Sequence, residues 1–419
     1  MFENVQTPCY IVDEAKIKKN LEILKRVEKE SGAHILLAQK AFSMYSLYPL
    51  IGQYISGTTA SGLFEAKLGY EEMGKENHVY APAYKPEHME ELVKICDHII
   101  FNSFAQYDKY IDMINAENER RKVNVQRSVN GTGIPDDAGD TDGQRIPEAV
   151  KNTDKAVSSR VSAGIRINPM CSTQEGHEIY DPCAFGSRLG VTKENFRDDY
   201  VFGEGGIEGL HVHTLCEQNS DALVITFKAV EEQFGEFLHK VKWLNLGGGH
   251  HITRSDYDIK ALVELVRYIR EKYDVEVYME PGEAIALNAG YLVTEVMDKV
   301  KNGMEILILD ASAACHMPDV LEMPYRPPLR DGYEADEKAY TYRLSSLTCL
   351  AGDVIGDYSF EKEINIGDRL IFEDMAIYSM VKNNTFNGIP LPCILLLKED
   401  GRIESVKSFG YEDFKGRLS

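Results

Sequence analysis

The apolar run His34-Ile35-Leu36-Leu37-Ala38-Gln39-Lys40 ends on a lysine. An ammonium at the end of a buried run is costly to desolvate unless it has a use. Burial lowers a lysine's pKa, and the neutral amine that results attacks carbonyls and forms Schiff bases. A lone lysine in such a place reaches back to water along its stem. Here it has company. His211-Val212-His213 puts two imidazoles on one face of a strand, and His250-His251 follows further on. Gly247-Gly248-Gly249 offers backbone N–H groups that can approach a phosphate closely, or simply a tight turn. Neither a G-x-G-x-x-G nor a P-loop pattern occurs, so dinucleotide and Walker readings are weak. Glu280, in Glu280-Pro281-Gly282-Glu283, offers a carboxylate that could keep a pyridinium nitrogen protonated, or a salt bridge to Arg166.

The elements that must position these residues alternate. Apolar runs at 34–40, 55–61, 78–83, 98–103, 161–168, 207–214, 243–249 and 275–282 read as strands. Between them, amphipathic stretches at 44–54, 64–73, 86–95, 105–116, 193–200, 220–241 and 257–273 read as helices. A first strand at 9–12 and a helix from Asp13 to about residue 29 precede them. The pattern predicts an α/β chain built on a (β/α)₈ barrel of the TIM type. Chemistry in such barrels sits at the C-terminal strand ends, which here carry Lys40, Ser61, Asn102, Arg166, His213, the glycine run and Glu280. After residue 290 short strands follow one another without comparable helices, which predicts an all-β C-terminal domain. The expected division is a barrel over 13–290 and a β domain over 291–419, joined by the N-terminal strand within 1–12. Residues 118–159 are polar and aperiodic and are expected to be an exposed, disordered insertion.

Composition limits the partners. The chain has 419 residues, 43% hydrophobic and 27% charged, as in ordinary globular proteins. Its net charge of −21 argues against nucleic acid or anionic membrane and would suit a cationic small molecule. The eight cysteines form no C-x-x-C pair, and no signal peptide or membrane-spanning run occurs, so a cytoplasmic protein with reduced thiols is expected. The histidines leave a rival open: a metal-dependent barrel hydrolase with His211, His213 and His250 as ligands and Glu280 completing the site. No aspartate ends any of the eight strands, and such a site has no evident need for the glycine run.

The ordered set Lys40, His213, Gly247-Gly248-Gly249, Glu280-Pro281-Gly282, Thr348-Cys349 and Glu373-Asp374-Met375-Ala376-Ile377-Tyr378 resembles the alanine racemase-like, fold type III pyridoxal-phosphate decarboxylases. Longer stretches are similar to the branch of that family acting on carboxynorspermidine and carboxyspermidine. They are His211 through Glu217, Gly247 through Arg254, Glu280 through Ala284 and His316 through Tyr325. The resemblance implies pyridoxal 5′-phosphate on Lys40, with Arg166, His213, Gly247, Gly248, Gly249, Glu280, Gly282 and Tyr378 around it. It implies catalysis by Lys40, His213, Glu280 and Cys349, the cysteine reaching the other chain's site in a homodimer with shared active sites. For a carboxylated polyamine the candidate contacts are Glu283, Asp319, Asp353, Glu217 and Arg188. The wider family usually has a phosphate-binding arginine where Glu283 stands, and many members have lysine at Arg188. Those departures put ornithine, arginine and diaminopimelate in doubt as substrates. Another basic amino-acid decarboxylase of this fold and a non-catalytic cofactor-binding protein remain the other readings, although Lys40 and Cys349 are both retained.

Overall fold

Ile17, Leu21, Leu24 and Val27 lie on one face of the helix Glu14–Ser31, and all four are buried. The Asp13 carboxylate accepts from the Lys16 N–H at 3.2 Å and closes the helix N-terminus. This helix follows strand β1 (Cys9–Asp13). The structure, a computed structural model, describes residues 2–129, 160–174 and 180–419.

The next strands are β2 (His34–Ala38), β3 (Gly57–Ala60), β4 (Glu76–Tyr80), β5 (His98–Phe101), β6 (Ser162–Asn168), the two-residue β7 (Val191–Thr192), β8 (Gly209–His211), β9 (Trp243–Asn245) and β10 (Glu276–Met279). Apart from β7, which pairs only with β6, they form a closed parallel ring in the order β2-β3-β4-β5-β6-β8-β9-β10, with β10 returning to β2. The (β/α)₈ barrel read from the alternation is therefore present. Most of its strands are shorter than the apolar runs, so Lys40, His213, the glycine run and Glu280 stand in the turns just beyond the strand ends, whereas Arg166 lies within β6. At the opposite end the interior is filled by Leu36, Ile100, Trp243 and Tyr278, with the His78 and His98 rings stacked at 4.0 Å.

Three helix expectations change. Residues 44–54 hold only the turn Tyr45–Leu47 and the short helix Tyr48–Ile51. Residues 193–200 hold only the turn Lys193–Asn195, because Phe196 and Tyr200 fold inward against Phe104 and Phe237. The helix expected over 105–116 runs instead from Phe104 to Val129, well into the stretch expected to be an insertion. Its extension is held by tertiary contacts. Asn118 bonds both the N–H and the C=O of Val161, and Arg121 donates to Glu117 and to the carbonyls of Val93 and Lys94. Residues 130–159 lie outside the described residues.

The second sheet is built from β11 (Gly290–Asn302), β12 (Met304–Leu309), β13 (Tyr340–Ser346), β14 (Val354–Phe360), β15 (Arg369–Glu373), β16 (Cys393–Leu397) and β17 (Ile403–Lys407). The order is β14-β13-β12-β11-β1-β16-β17, with β15 on β11. Strand β1 thus pairs antiparallel with β11 and parallel with β16. This stitches the chain's start into the sheet that follows the barrel. Among the described residues no helix is long and apolar enough to cross a membrane, and all eight cysteines are free thiols.

Candidate active site

Lys40 stands two residues past β2, in a turn held from three sides. Ala38 N–H donates to Pro281 O at 3.3 Å, Gln39 N–H to Thr59 O at 3.1 Å, and Tyr378 N–H to Ala41 O at 2.9 Å. The last bond carries the chain after β15 onto the barrel mouth. Gly282 lies so close that a Cβ there would fall 2.5 Å from the Ala41 Cβ. The Lys40 side chain is open to solvent along the mouth but walled by protein on its other sides. That desolvation, with the Arg166 guanidinium beside it, lowers the amine's pKa. A concave site explains both features, and it supplies a reachable amine whose neutral form is favoured over that of a free lysine.

Glu280 is buried one residue past β10. Its Oε1 accepts from Asn245 Nδ2 at 2.7 Å, and its Oε2 lies 3.1 Å from His211 Nε2. Desolvation raises the carboxyl's pKa, but these donors outweigh it and hold the group at about 2. Burial lowers the pKa of His211, so we read the pair as carboxylate and neutral imidazole, the ring donating Nε2–H. The salt bridge to Arg166 considered from sequence gives way to His211 and Asn245. Tyr80 stacks on His211, with centroids 5.3 Å apart, and the Arg166 guanidinium covers the Tyr80 ring at 4.6 Å.

His213 accepts the Gly248 N–H on Nδ1 at 2.9 Å, which puts the ring's proton on Nε2. Burial and the nearby Lys40 and Arg166 charges push its pKa far down. Gly247 and Gly249 have φ of 67° and 80°, and a Cβ on Gly249 would meet Leu215 O at 2.1 Å. The run is therefore required by close backbone approach, but two of its N–H groups are already engaged. Gly247 N–H donates to Asn245 Oδ1 at 2.8 Å, and Gly248 N–H to His213. Among the described residues, Gly249 N–H and Gly282 N–H have no protein acceptor, and Arg166 Nε is buried without one. Three orphaned donors beside an accessible amine fit an anionic cofactor held covalently by the lysine.

A second group of side chains lines the same mouth. His251 Nε2 lies 2.8 Å from a carboxylate oxygen of Glu283. Burial raises Glu283 to about 7, and burial together with Glu283 raises Glu217 to about 7. Tyr378, Cys216, Tyr180 and Asp374 feel these charges. Asp319 belongs electrostatically to this group, but its carboxylate is paired with Lys382, which also bonds Glu322 at 3.1 Å. Arg188 is exposed nearby, its carbonyl accepting from Asn102 Nδ2 at 2.8 Å.

Two sequence candidates stand apart. Asp353 is buried, and its carboxylate accepts from Ser312, Ser346, Thr348 and the Ala314 N–H. Three donors on Oδ2 and one on Oδ1 commit this buried carboxylate to the protein, so that expectation is corrected to a structural role. Cys349 lies on the exposed turn between β13 and β14, its N–H donating to Asn387 Oδ1 at 2.9 Å. The metal-ligand trio His211, His213 and His250 does not form either. Each ring is committed to a different partner, the third to Leu246 O at 3.3 Å. Tyr80, Asn245 and His251 were not singled out as site residues from sequence. His251 was visible in the double histidine, whereas Tyr80 and Asn245 read as ordinary strand residues.

A barrel whose mouth carries an accessible lysine, a histidine and a buried carboxylate, followed by an antiparallel-rich second sheet, is the alanine racemase-like arrangement. Residues 9–376 match the family model described as pyridoxal-dependent decarboxylase, C-terminal sheet domain. The chain belongs to the pyridoxal-dependent decarboxylases, and pyridoxal phosphate is its cofactor.

Over almost its whole length it is similar to the carboxynorspermidine/carboxyspermidine decarboxylase of Campylobacter jejuni, 37% identical over 99% of both chains. It is 36% identical to the carboxyaminopropylagmatine decarboxylase of a Synechocystis species, over 99% of this chain and 96% of that one. The crystal structure of carboxynorspermidine decarboxylase from C. jejuni, complexed with norspermidine, superposes with a TM-score of 0.81 at 36% identity. It covers 99% of this chain and 100% of the other.

Proposed function

We propose that this chain decarboxylates carboxynorspermidine and carboxyspermidine to norspermidine and spermidine, in polyamine biosynthesis. The observation that carries the reading is Glu283, a buried carboxyl at the mouth of the Lys40 site. The wider family usually places an arginine there. An acidic group costs desolvation energy in that place unless positive charge arrives with the substrate. Glu217 beside it extends the same acidic wall. The names of both full-length relatives share a carboxylated aminopropyl head and a cationic tail, which supports the substrate class.

Roles follow from the geometry. Lys40 would hold the cofactor, its lowered pKa favouring the amine that forms a Schiff base. When bound, pyridoxal phosphate supplies an electron sink for the pair left behind as CO₂ departs. Glu280, held anionic by Asn245 and His211, would keep a proton on the cofactor's ring nitrogen. His213 offers a flat neutral surface, with its proton directed to Nε2. Gly249, Gly282, Arg166 and Tyr378 would hold the phosphate, with Gly247 and Gly248 shaping the turn. Glu283, Glu217, Asp319 and Arg188 are the proposed substrate contacts. Cys349 of a partner subunit would return a proton to the substrate's α-carbon. We further read the protein as a cytoplasmic homodimer dividing into 13–290 and 291–419 plus 1–12. Its net charge of −21 supports a cationic small-molecule partner over nucleic acid or membrane.

The visible spectrum tests the lysine directly. The purified protein should be yellow, lose that band on borohydride reduction, and then yield a Lys40 peptide carrying the cofactor. Lys40→Ala should keep its circular dichroism but lose turnover, because the side chain is open to the mouth rather than packed in the core. Near-normal turnover without Lys40 would refute the assignment.

A further inference from the structure

Glu217, Glu283 and His251 arrive from the loops after β8, β10 and β9, and one oxygen or nitrogen of each lies within 4.8 Å of the other two. Arg254 Nη1 approaches His251 Nδ1 at 3.4 Å, so Nδ1 is the acceptor and the ring's proton sits on Nε2. That Nε2–H donates to Glu283 Oε2 at 2.8 Å. The facing oxygens of Glu217 and Glu283 lie within 4.8 Å of each other. Two carboxylates this close repel when both are ionised, so one proton stays between them. Glu283 is buried and Glu217 is open to solvent, which gives that proton an exit.

We propose that these three residues form one ammonium-receiving unit, in which the substrate's internal secondary ammonium enters between the two carboxyl groups and expels the proton they share. This rests on the polyamine reading above. Lys40 acts electrostatically on Glu283 and on Cys216, so the unit flanks the reacting end and meets the first nitrogen beyond the carboxylated carbon. Proton and charge balance is simple. The free unit carries one proton and a single negative charge. The bound unit carries two negative charges and one ammonium, and one proton passes to solvent. His251 is a positioning residue: its N–H keeps Glu283 aimed at Glu217.

Other charges facing the pair are Lys40 and Arg254 on the cationic side, and Asp319 and Asp374 on the anionic side. Tyr378, Tyr180 and Tyr325 complete the wall, and burial raises all three phenols, so they stay neutral. Burial holds the shared proton up to about pH 7.

The test is calorimetry of norspermidine binding to the holoenzyme, in buffers of different ionisation enthalpy. At about pH 6, wild type should release roughly one more proton per bound norspermidine than Glu283→Gln, which removes the buried carboxyl and leaves Glu217 open to solvent, and the difference should vanish above about pH 8. Equal proton counts at about pH 6 would overturn the proposal while leaving the polyamine reading intact. Failure of norspermidine to bind wild type at all would overturn both. His251→Phe removes a donor to the carboxyl pair, so the pH midpoint of norspermidine affinity should rise, and His251→Gln, which keeps an amide donor, should restore it. An unmoved midpoint in His251→Phe would also overturn the proposal.

Discussion

Glu280 and Glu283 lie three residues apart and are both buried, yet their environments drive them in opposite directions. Glu280 meets an amide and an imidazole N–H and stays ionised; Glu283 is desolvated by burial, which the nearby Lys40 charge does not offset, and is raised to about 7. A carboxyl raised by burial favours the folded state while protonated, below its ordinary value of 4.5, and that contribution is lost as pH rises through about 7. Glu283→Gln should therefore match wild type in stability near pH 4.5, the carboxyl's ordinary value. At about pH 8 it should exceed wild type by about 3 kcal/mol in denaturant unfolding, because the charged form is no longer buried. A variant less stable than wild type at the higher pH would contradict the assigned environment. The same substitution should weaken turnover of a cationic substrate, so stability and activity part company at this residue.

At the scale of elements, the alternation was readable because each parallel strand is a short apolar run and each helix has an apolar stripe. The turn residues were readable because barrel chemistry gathers at strand ends. What escaped was set by tertiary contact. Nothing local to Asn118 or Arg121 announces a helix. The extension to Val129 depends on Val161, reached across the chain, and on carbonyls at the end of the helix Pro86–Ile95. Asp353 was misread for a related reason: a carboxylate after a glycine turn looks exposed, but Ser312 and Ala314, from a distant segment, close over it. Arg121 offers a measurement. It is buried with Glu117, and Arg121→Met would leave that carboxylate with the exposed Arg120 and strand the carbonyls of Val93 and Lys94. The loss should be about 3–5 kcal/mol of stability in denaturant unfolding. A loss under about 1 kcal/mol would mean that the helix does not depend on this anchor.

At the scale of the whole molecule, β1 and the bond from Tyr378 N–H to Ala41 O tie the second sheet to the barrel at the site itself. Cys349 is carried outward on a turn whose neighbours Leu347 and Leu350 are 47% and 44% exposed, an apolar surface that agrees with the proposed homodimer. If that subunit receives the cysteine, inactive Lys40→Ala and inactive Cys349→Ala chains should complement when subunits exchange. Activity should recover to about a quarter of wild type, since half the dimers are mixed and each holds one intact site of two. No recovery despite demonstrated exchange would place the cysteine's action within its own chain.

The most direct test of the account is a side-by-side measurement of kcat/KM for CO₂ release from carboxynorspermidine, carboxyspermidine, carboxyaminopropylagmatine and diaminopimelate by the holoenzyme. The proposed activity predicts that the first two lead, and the acidic wall of Glu217 and Glu283 predicts that each exceeds diaminopimelate by roughly a hundredfold or more, the worth of one to two charge-assisted contacts at about 1.5–3 kcal/mol each. Preferential turnover of diaminopimelate, or of the agmatine derivative over both carboxylated polyamines, would contradict it.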